Sequence, residues 1–150
     1  MTRIVIIWFY VGVLALFLID QLTKLWARHV LDQQQVYVFK WLQFDLVFNT
    51  GAAYGFFGQF TTALLWLGIA VIVYLIGLVR QLDVSKKWEC AGYVCLLSGA
   101  LGNTYDRLVF GQVTDFINIH IIPVFNGADM LLNVGVILLL ISWIRDDVKS

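Results

Sequence analysis

Charged side chains are scarce in this sequence, and several of them lie beside or inside apolar segments. Of the 150 residues, 61% are hydrophobic and only 13% are charged, whereas soluble domains average ~25% charged residues. Ionisable groups at membrane depth are costly and usually serve a function. The ionisable residues near apolar segments are Asp20, Lys24, Asp106, Arg107, Asp115 and Asp129.

Two of these aspartates have no basic neighbour in sequence. Asp115 and Asp129 stand alone, so they are candidates for an acid–base pair. Two close carboxylates do not both ionise easily, so one keeps its proton while the other acts as a base. Such a pair can activate water against a peptide bond without a metal or a nucleophilic side chain. An alternative is that Asp129 only favours the N-terminus of a helix.

The other four ionisable residues have simpler alternatives. Asp20 and Lys24 are spaced i,i+4, so they could pair on one helix face. Asp106 and Arg107 are adjacent and could form an ordinary interfacial pair. These alternatives stay open at this point.

Other catalytic chemistries have weak support in the sequence. His29 and His120 are not in an H-E-x-x-H or similar zinc-binding spacing. Cys90 and Cys95 are interpreted as core thiols, and Ser98 as a packing residue between helices. We therefore expect neither a metal nor a cofactor.

Four apolar segments must position these residues. A helix needs about 20 residues to cross the hydrocarbon core, and the predicted helices are roughly 4–27, 61–79, 88–108 and 128–146. We interpret the first as a retained anchor, because Asp20 and Gln21 stand where a cleavage site of small residues would be. The predicted fold is a single domain over 1–150, an all-α integral membrane bundle of four transmembrane helices.

The segments between the helices, roughly 28–60 and 109–127, are expected to hold extended structure. Residues 36–49 are rich in β-branched and aromatic side chains. The second segment contains Pro123, which opposes helix. We predict a small extracytoplasmic β element there.

Basic residues predict the orientation. The side of the termini holds six, namely Arg3, Arg80, Lys86, Lys87, Arg145 and Lys149. The opposite side holds four, namely Lys24, Arg28, Lys40 and Arg107. Cytoplasmic termini place all six ionisable residues, with Asn49 and Asn103, at the outer membrane edge.

The net charge excludes one class of partner and leaves two rival functions. A formal charge of +0 gives no electrostatic footprint for nucleic acid. One rival to a hydrolase is a proton-relay transport subunit, which needs polar steps across the bilayer. The other is a non-enzymatic membrane assembly factor that binds a partner at the polar edge.

Five ordered motifs make this sequence similar to the lipoprotein signal peptidase family (signal peptidase II, prolipoprotein signal peptidase). They are residues 20–24 (DQLTK), 49–55 (NTGAAYG), 99–107 (GALGNTYDR), 113–116 (VTDF) and 125–129 (FNGAD). Gly127 and Ser98 depart from the usual pattern, and the interval between Asp115 and Asp129 is short. These departures concern loop geometry.

The resemblance implies an aspartic endopeptidase that removes signal peptides from diacylglyceryl-modified prolipoproteins, cutting just before the lipidated cysteine. It assigns the catalytic roles to Asp115 and Asp129. The matches that would bind substrate or inhibitor, or support the pair, are Asp20, Lys24, Asn49, Gly51, Gly99, Asn103, Asp106, Arg107, Asn126 and Ala128.

The resemblance also implies a place and partners. It predicts a multi-pass protein of the bacterial cytoplasmic (inner) membrane, with its active site at the edge of the outer leaflet. The expected partners are prolipoproteins, membrane lipids and globomycin-like lipopeptide inhibitors, and we expect a monomer. We further expect Arg107 to brace the segment that carries Asp115, because a guanidinium can hold several carbonyl oxygens at once.

Overall fold

Four helices and three strands alternate along the chain, as a computed structural model shows for residues 3–51, 57–83 and 85–147. The elements in order are α1 (Arg3–Val30), β1 (Val36–Phe39), β2 (Leu42–Asn49), α2 (Phe57–Val79), α3 (Lys87–Phe110), β3 (Val113–Asn118) and α4 (Gly127–Asp147). Each helix lies where an apolar segment predicts one. The first helix continues past residue 27, and the second begins before residue 61.

Three helices in the described part of the chain are long and apolar enough to cross a membrane. These spans are Ile6–Val30, Phe60–Val79 and Gly127–Asp146. The 24-residue helix α3 is not among them, because asparagine, aspartate, arginine and glycine replace apolar residues along it. It packs against α1, α2 and α4, so it lies between the three more apolar helices.

The extended segments form one antiparallel sheet in the order β1-β2-β3. This confirms the extended structure predicted for 36–49, whereas within 109–127 only β3 is a strand. In the pairing of β2 with β3, Asn49 faces Val113 and Val47 faces Asp115. The register therefore brings the end of β2 beside the aspartate of β3.

Aromatic side chains attach the sheet to the C-terminal part of α1. The Trp26 ring meets Phe44 of β2 and Phe116 of β3 edge to face, with centroids 5.5 and 6.2 Å apart. Phe116 is buried together with Ala27 and Leu31. Since Phe116 follows Asp115 directly, this packing also fixes the strand that carries the aspartate.

A close approach of α3 to α4 positions the beginning of α4. A Cβ on Gly99 would lie 2.5 Å from the carbonyl oxygen of Ala128, and one on Gly135 would lie 2.9 Å from that of Gly92. Only glycine allows backbones to come this near, as is common where membrane helices meet. The first turn of α4 consequently lies against the polar half of α3.

Candidate active site

The two aspartates that the sequence predicts as catalytic are both bonded to Asn126. The side-chain amide of Asn126 donates to Asp115 Oδ1 at 2.6 Å. Its backbone N–H donates to Asp129 Oδ2 at 3.2 Å, and its Oδ1 accepts the backbone N–H of Asp129 at 3.0 Å. Asn126 is fully buried. A single asparagine therefore fixes both carboxyl groups relative to each other.

The second oxygen of Asp115 is held from β2. Asn49 Nδ2 donates to Asp115 Oδ2 at 2.9 Å, while Asn49 Oδ1 accepts the backbone N–H of Gly51 at 2.8 Å. Gly51 has φ 76°, a left-handed turn that favours glycine. Because the turn occupies the amide oxygen of Asn49, the NH₂ group must face Asp115.

Burial changes the protonation of Asp115, which is only 1% exposed. Burial raises its pKa from 3.8 to about 6, against the lowering effect of the Asn49 hydrogen bond, and repulsion from Asp129 adds to the rise. A carboxyl group in this state stays protonated to a higher pH than an ordinary aspartate does. Asp115 is therefore suited to act as the acid of the pair.

Asp129 has a different environment. It lies in the first turn of α4, where the helix dipole stabilises negative charge. Asn103 Nδ2 donates to its Oδ1 at 2.8 Å, and the side chain is less buried than that of Asp115. These donors suit a carboxylate that acts as the base.

A buried lysine helps to fix which way the Asn103 amide points. Lys24 Nζ, fully buried in α1, donates to Asn103 Oδ1 at 3.0 Å. An ammonium group has donors only, so Asn103 must turn its oxygen toward Lys24. Its NH₂ group then faces Asp129. Asn126 Nδ2 donates to the same Asn103 oxygen at 3.1 Å, so α1 and Asn126 together fix the hydrogen bond that Asp129 receives.

Asp20 connects the same lysine to the beginning of α4. Lys24 Nζ lies 3.0 Å from Asp20 Oδ2, which confirms the i,i+4 pairing. Asp20 Oδ1 also accepts the backbone N–H of Ala128 at 2.8 Å. A carboxylate at the N-terminus of α4 pairs with a backbone N–H that has no partner within the helix, and the helix dipole stabilises its negative charge. Asp20 therefore joins α1 to α4, and the contact of Ala128 with Gly99 described above joins α4 to α3.

Asp106 braces the strand that carries Asp115. Its Oδ2 accepts the backbone N–H of Thr114 at 2.9 Å, and its Oδ1 lies 2.9 Å from Nη2 of Arg28. Arg28 Nε also donates to Thr114 Oγ1 at 2.8 Å. We call Arg28, Asp106 and Thr114 the strand clamp. Lys24 lies 3.5 Å from Asp106 as well, so the clamp and the Asp20 pair form one charged network.

The prediction that Arg107 braces this segment is wrong. Its one hydrogen bond among the described residues goes to the carbonyl oxygen of Asn103 in its own helix, at 3.4 Å. Adjacent residues of a helix project about 100° apart, so Asp106 faces β3 and Arg107 does not. The Nε of Arg107 is buried without a partner in the described chain, within electrostatic range of Asp129 and Asp115.

Arg28 is a site residue that the sequence motifs missed. Its position gave a usable signal, because Asp20, Lys24 and Arg28 recur every four residues and so share one helix face. From the sequence, Arg28 is only one of the basic residues that predict the orientation of the chain in the membrane. Its guanidinium also lies 3.9 Å from the centroid of the Phe110 ring.

No three metal-binding side chains come together in the described part of the chain. The groups that do converge are carboxyls, amides and cations. The chemistry that this arrangement can supply is proton transfer between two carboxyl groups with positively charged donors nearby.

A family model described as signal peptidase (SPase) II matches residues 12–145. The chain belongs to this family. It is 40% identical to the lipoprotein signal peptidase of Dichelobacter nodosus (strain VCS1703A), covering 89% of this chain and 92% of that protein. It is 35% identical to the lipoprotein signal peptidase of Gloeobacter violaceus (strain ATCC 29082 / PCC 7421), covering 95% and 85%.

Solved structures of bacterial membrane enzymes share this fold. Two bacterial membrane enzymes determined by the in meso method, at 2.3 and 1.9 Å resolution, are each 26% identical to this chain. Their TM-scores are 0.78 and 0.80, with 95% and 92% of this chain covered and 90% and 93% of those chains. With its apolar helices, this member of the signal peptidase II family is a multi-pass membrane protein and a peptidase rather than a transport subunit or assembly factor.

Proposed function

We propose that this protein is an aspartic endopeptidase that removes signal peptides from diacylglyceryl-modified prolipoproteins, with Asp115 and Asp129 as its catalytic pair. The observation that carries the proposal is the double bonding of Asn126 to both carboxyl groups. It holds two aspartates together in different environments, which is what acid–base division of labour requires. No metal or cofactor enters the proposed reaction.

In the proposed mechanism, Asp129 accepts a proton from water as the water oxygen attacks the scissile carbonyl carbon. Asp115 donates its proton to the carbonyl oxygen, giving a neutral gem-diol. When the C–N bond breaks, Asp129 passes its proton to the leaving amine and Asp115 recovers a proton from one of the two hydroxyl groups. The products are the carboxyl end of the signal peptide and the free amine of the lipidated cysteine.

Arg107 would orient the substrate. Its Nε is a buried donor with no partner in the described residues, and its guanidinium lies within electrostatic range of the pair. A planar guanidinium with free donors can hold peptide carbonyl oxygens in a fixed direction. In this role Arg107 binds the extended peptide, while Asn49, Asn103 and Asn126 fix the carboxyl groups.

A membrane-edge location suits the substrate, whose acyl chains lie in the bilayer. Exposed aromatic side chains support this location. Tyr37, Phe39 and Trp41 on the first hairpin are 58–71% exposed, and such rings favour the headgroup region. We propose a single-domain monomer of the bacterial inner membrane, with α3 as its fourth crossing, cytoplasmic termini and the pair at the outer leaflet.

The lipid requirement tests the substrate class. Purified protein is given a diacylglyceryl-modified prolipoprotein and the same precursor without the lipid, with and without a globomycin-like lipopeptide. We expect cleavage of the lipid-modified precursor only, just before its modified cysteine, and we expect the lipopeptide to inhibit this cleavage. Equal cleavage of the unmodified precursor would contradict the proposed substrate class.

A further inference from the structure

A cavity of about 340 Å³ lies at the beginning of α3, at the end of the helix away from the aspartate pair. Its lining includes Lys86, Lys87, Trp88, Ser142 and Arg145. Helix α3 is 24 residues long, which at 1.5 Å per residue separates its ends by about 36 Å. The cavity is therefore at the opposite membrane edge from the candidate active site.

The cavity carries free positive charge. Lys86 is paired with Asp146 at 2.5 Å and with Glu89 at 4.0 Å. Lys87 and Arg145 have no ion-pair partner among the residues that the structure describes, and Arg145 lies over the Trp88 ring at 5.7 Å. Two cations without a described ion-pair partner thus flank one concave surface, whereas the carboxylates of Asp146 and Glu89 are paired with Lys86.

Neutral hydrogen-bond donors point to the same kind of ligand. Ser142 is only 7% exposed, yet its hydroxyl has no hydrogen-bond partner in the described chain, although it lines the cavity. Helix α3 begins there without a side-chain cap, since Lys86 makes no capping bond. An uncapped helix N-terminus and arginine are both suited to bind phosphate oxygens.

A partly apolar groove continues from this cavity along the helices. It is a second cavity of about 250 Å³, which shares Lys86, Ser142 and Asp146 with the first, is also lined by Glu89, and extends past Tyr93, Leu139 and Trp143. Tyr93 and Leu139 lie about one helical turn further from the end of the bundle. A polar cavity that continues into a groove with apolar walls further along suits a phospholipid headgroup with its acyl chain.

We propose that this surface, the inner lipid site, binds an anionic phospholipid of the adjacent leaflet through its phosphate. The proposal is independent of the peptidase reaction. An anionic lipid fits better than a zwitterionic one, because the ammonium of a zwitterionic headgroup would lie beside Lys87 and Arg145. Attraction between basic juxtamembrane residues and anionic lipids is worth about 1 kcal/mol per residue, equivalent to about a fivefold change in affinity.

Thermal unfolding of the purified full-length protein in detergent tests the site. Three ligands are titrated separately, namely phosphatidylglycerol, phosphatidylcholine and inorganic phosphate. Each is added to the wild-type protein, to the double variant Lys87→Gln with Arg145→Gln, and to the control Arg80→Gln, which removes a cation from outside the cavity. A ligand at about ten times its Kd should raise the Tm by about 3 °C. We expect this rise with phosphatidylglycerol for wild type and control, and less than half of it for the double variant.

Three outcomes would overturn the proposal. An equal rise with phosphatidylcholine would remove the requirement for an anionic lipid. A rise of the same size with inorganic phosphate alone would indicate a site for soluble anions. An undiminished rise for a double variant with wild-type cleavage activity would exclude the named residues. If the double variant does not fold, Arg145→Lys takes its place. This variant keeps the charge, so we expect it to retain at least half of the rise in Tm. Loss of that rise in Arg145→Lys would contradict the electrostatic argument.

Discussion

Replacing Arg28 by lysine tests whether the strand clamp positions Asp115. The guanidinium of Arg28 contacts Asp106 Oδ1 at 2.9 Å and Thr114 Oγ1 at 2.8 Å through different nitrogen atoms. Lysine keeps the positive charge but presents one compact ammonium, which cannot reproduce this fork. Arg28→Lys therefore removes the contact to Thr114, the neighbour of Asp115, while it leaves the charge balance of the network unchanged.

The expected loss follows from the contacts. A hydrogen bond to a neutral hydroxyl contributes about 1 kcal/mol, and the stacking on Phe110 adds about 0.5 kcal/mol at a partly exposed site. The side chain of Arg28 is 18% exposed, so we expect the free energy of unfolding to decrease by about 1–2 kcal/mol. Because small misplacements of catalytic groups are costly, kcat should fall by about tenfold or more.

Thermal unfolding and cleavage kinetics of a double-mutant cycle provide the assay. The cycle combines Arg28→Lys with Thr114→Val, and Arg80→Lys is the matched exchange at an exposed arginine. If the two residues act through their mutual contact, the double variant should be little worse than the worse single variant. Wild-type kcat and stability for Arg28→Lys, or fully additive losses, would refute the clamp.

Three further predictions concern the pair itself. Lys24→Met should reduce cleavage by about tenfold or more and move the acid side of the pH–rate profile upward. The substitution removes a buried cation and leaves only Asn126 to hold the Asn103 oxygen away from Asp129. A lower yield of folded protein with an unshifted profile would contradict this. Burial raises the pKa of Asp115 from 3.8 to about 6, so the folded state binds more protons than the unfolded state across that range and stability falls as pH rises through it. The Tm measured from pH 4 to 7 should therefore fall less in Asp115→Asn than in wild type, and parallel curves would exclude the shift. Arg107→Lys should lose about 90% of kcat/KM with little change in Tm, whereas wild-type turnover would leave Arg107 as an interfacial anchor only.

Helices and strands were predictable from local composition. Long apolar segments predict the helices, and the β-branched and aromatic residues of 36–49 predict the hairpin. The sequence also predicts a crossing at 88–108, but α3 is not among the helices apolar enough to span a membrane, because its polar residues serve contacts with the other helices. Those contacts are long-range, so no window of the sequence contains them.

The candidate site was partly predictable. Asp115 and Asp129 could be selected because neither has a basic neighbour, and the Asp20–Lys24 pairing followed from helical spacing. The direction of side chains could not be inferred: Asp106 rather than its neighbour Arg107 faces β3. Likewise, the orientation of the Asn103 amide depends on Lys24, a residue 79 positions away in the chain.

Substitution of each aspartate, combined with chelation, tests most directly whether Asp115 and Asp129 hydrolyse the peptide bond without a metal. Cleavage of a diacylglyceryl-modified prolipoprotein is measured for purified wild type, with and without a chelator, for Asp115→Asn and Asp129→Asn, and for Asp32→Asn as an exposed control. Loss of a catalytic acid or base costs about 10²–10⁴-fold in rate, so we expect that loss for each pair variant although it is folded, with full activity for the control and for chelated wild type. Near-normal cleavage by either pair variant, or its abolition by the chelator, would contradict the claim.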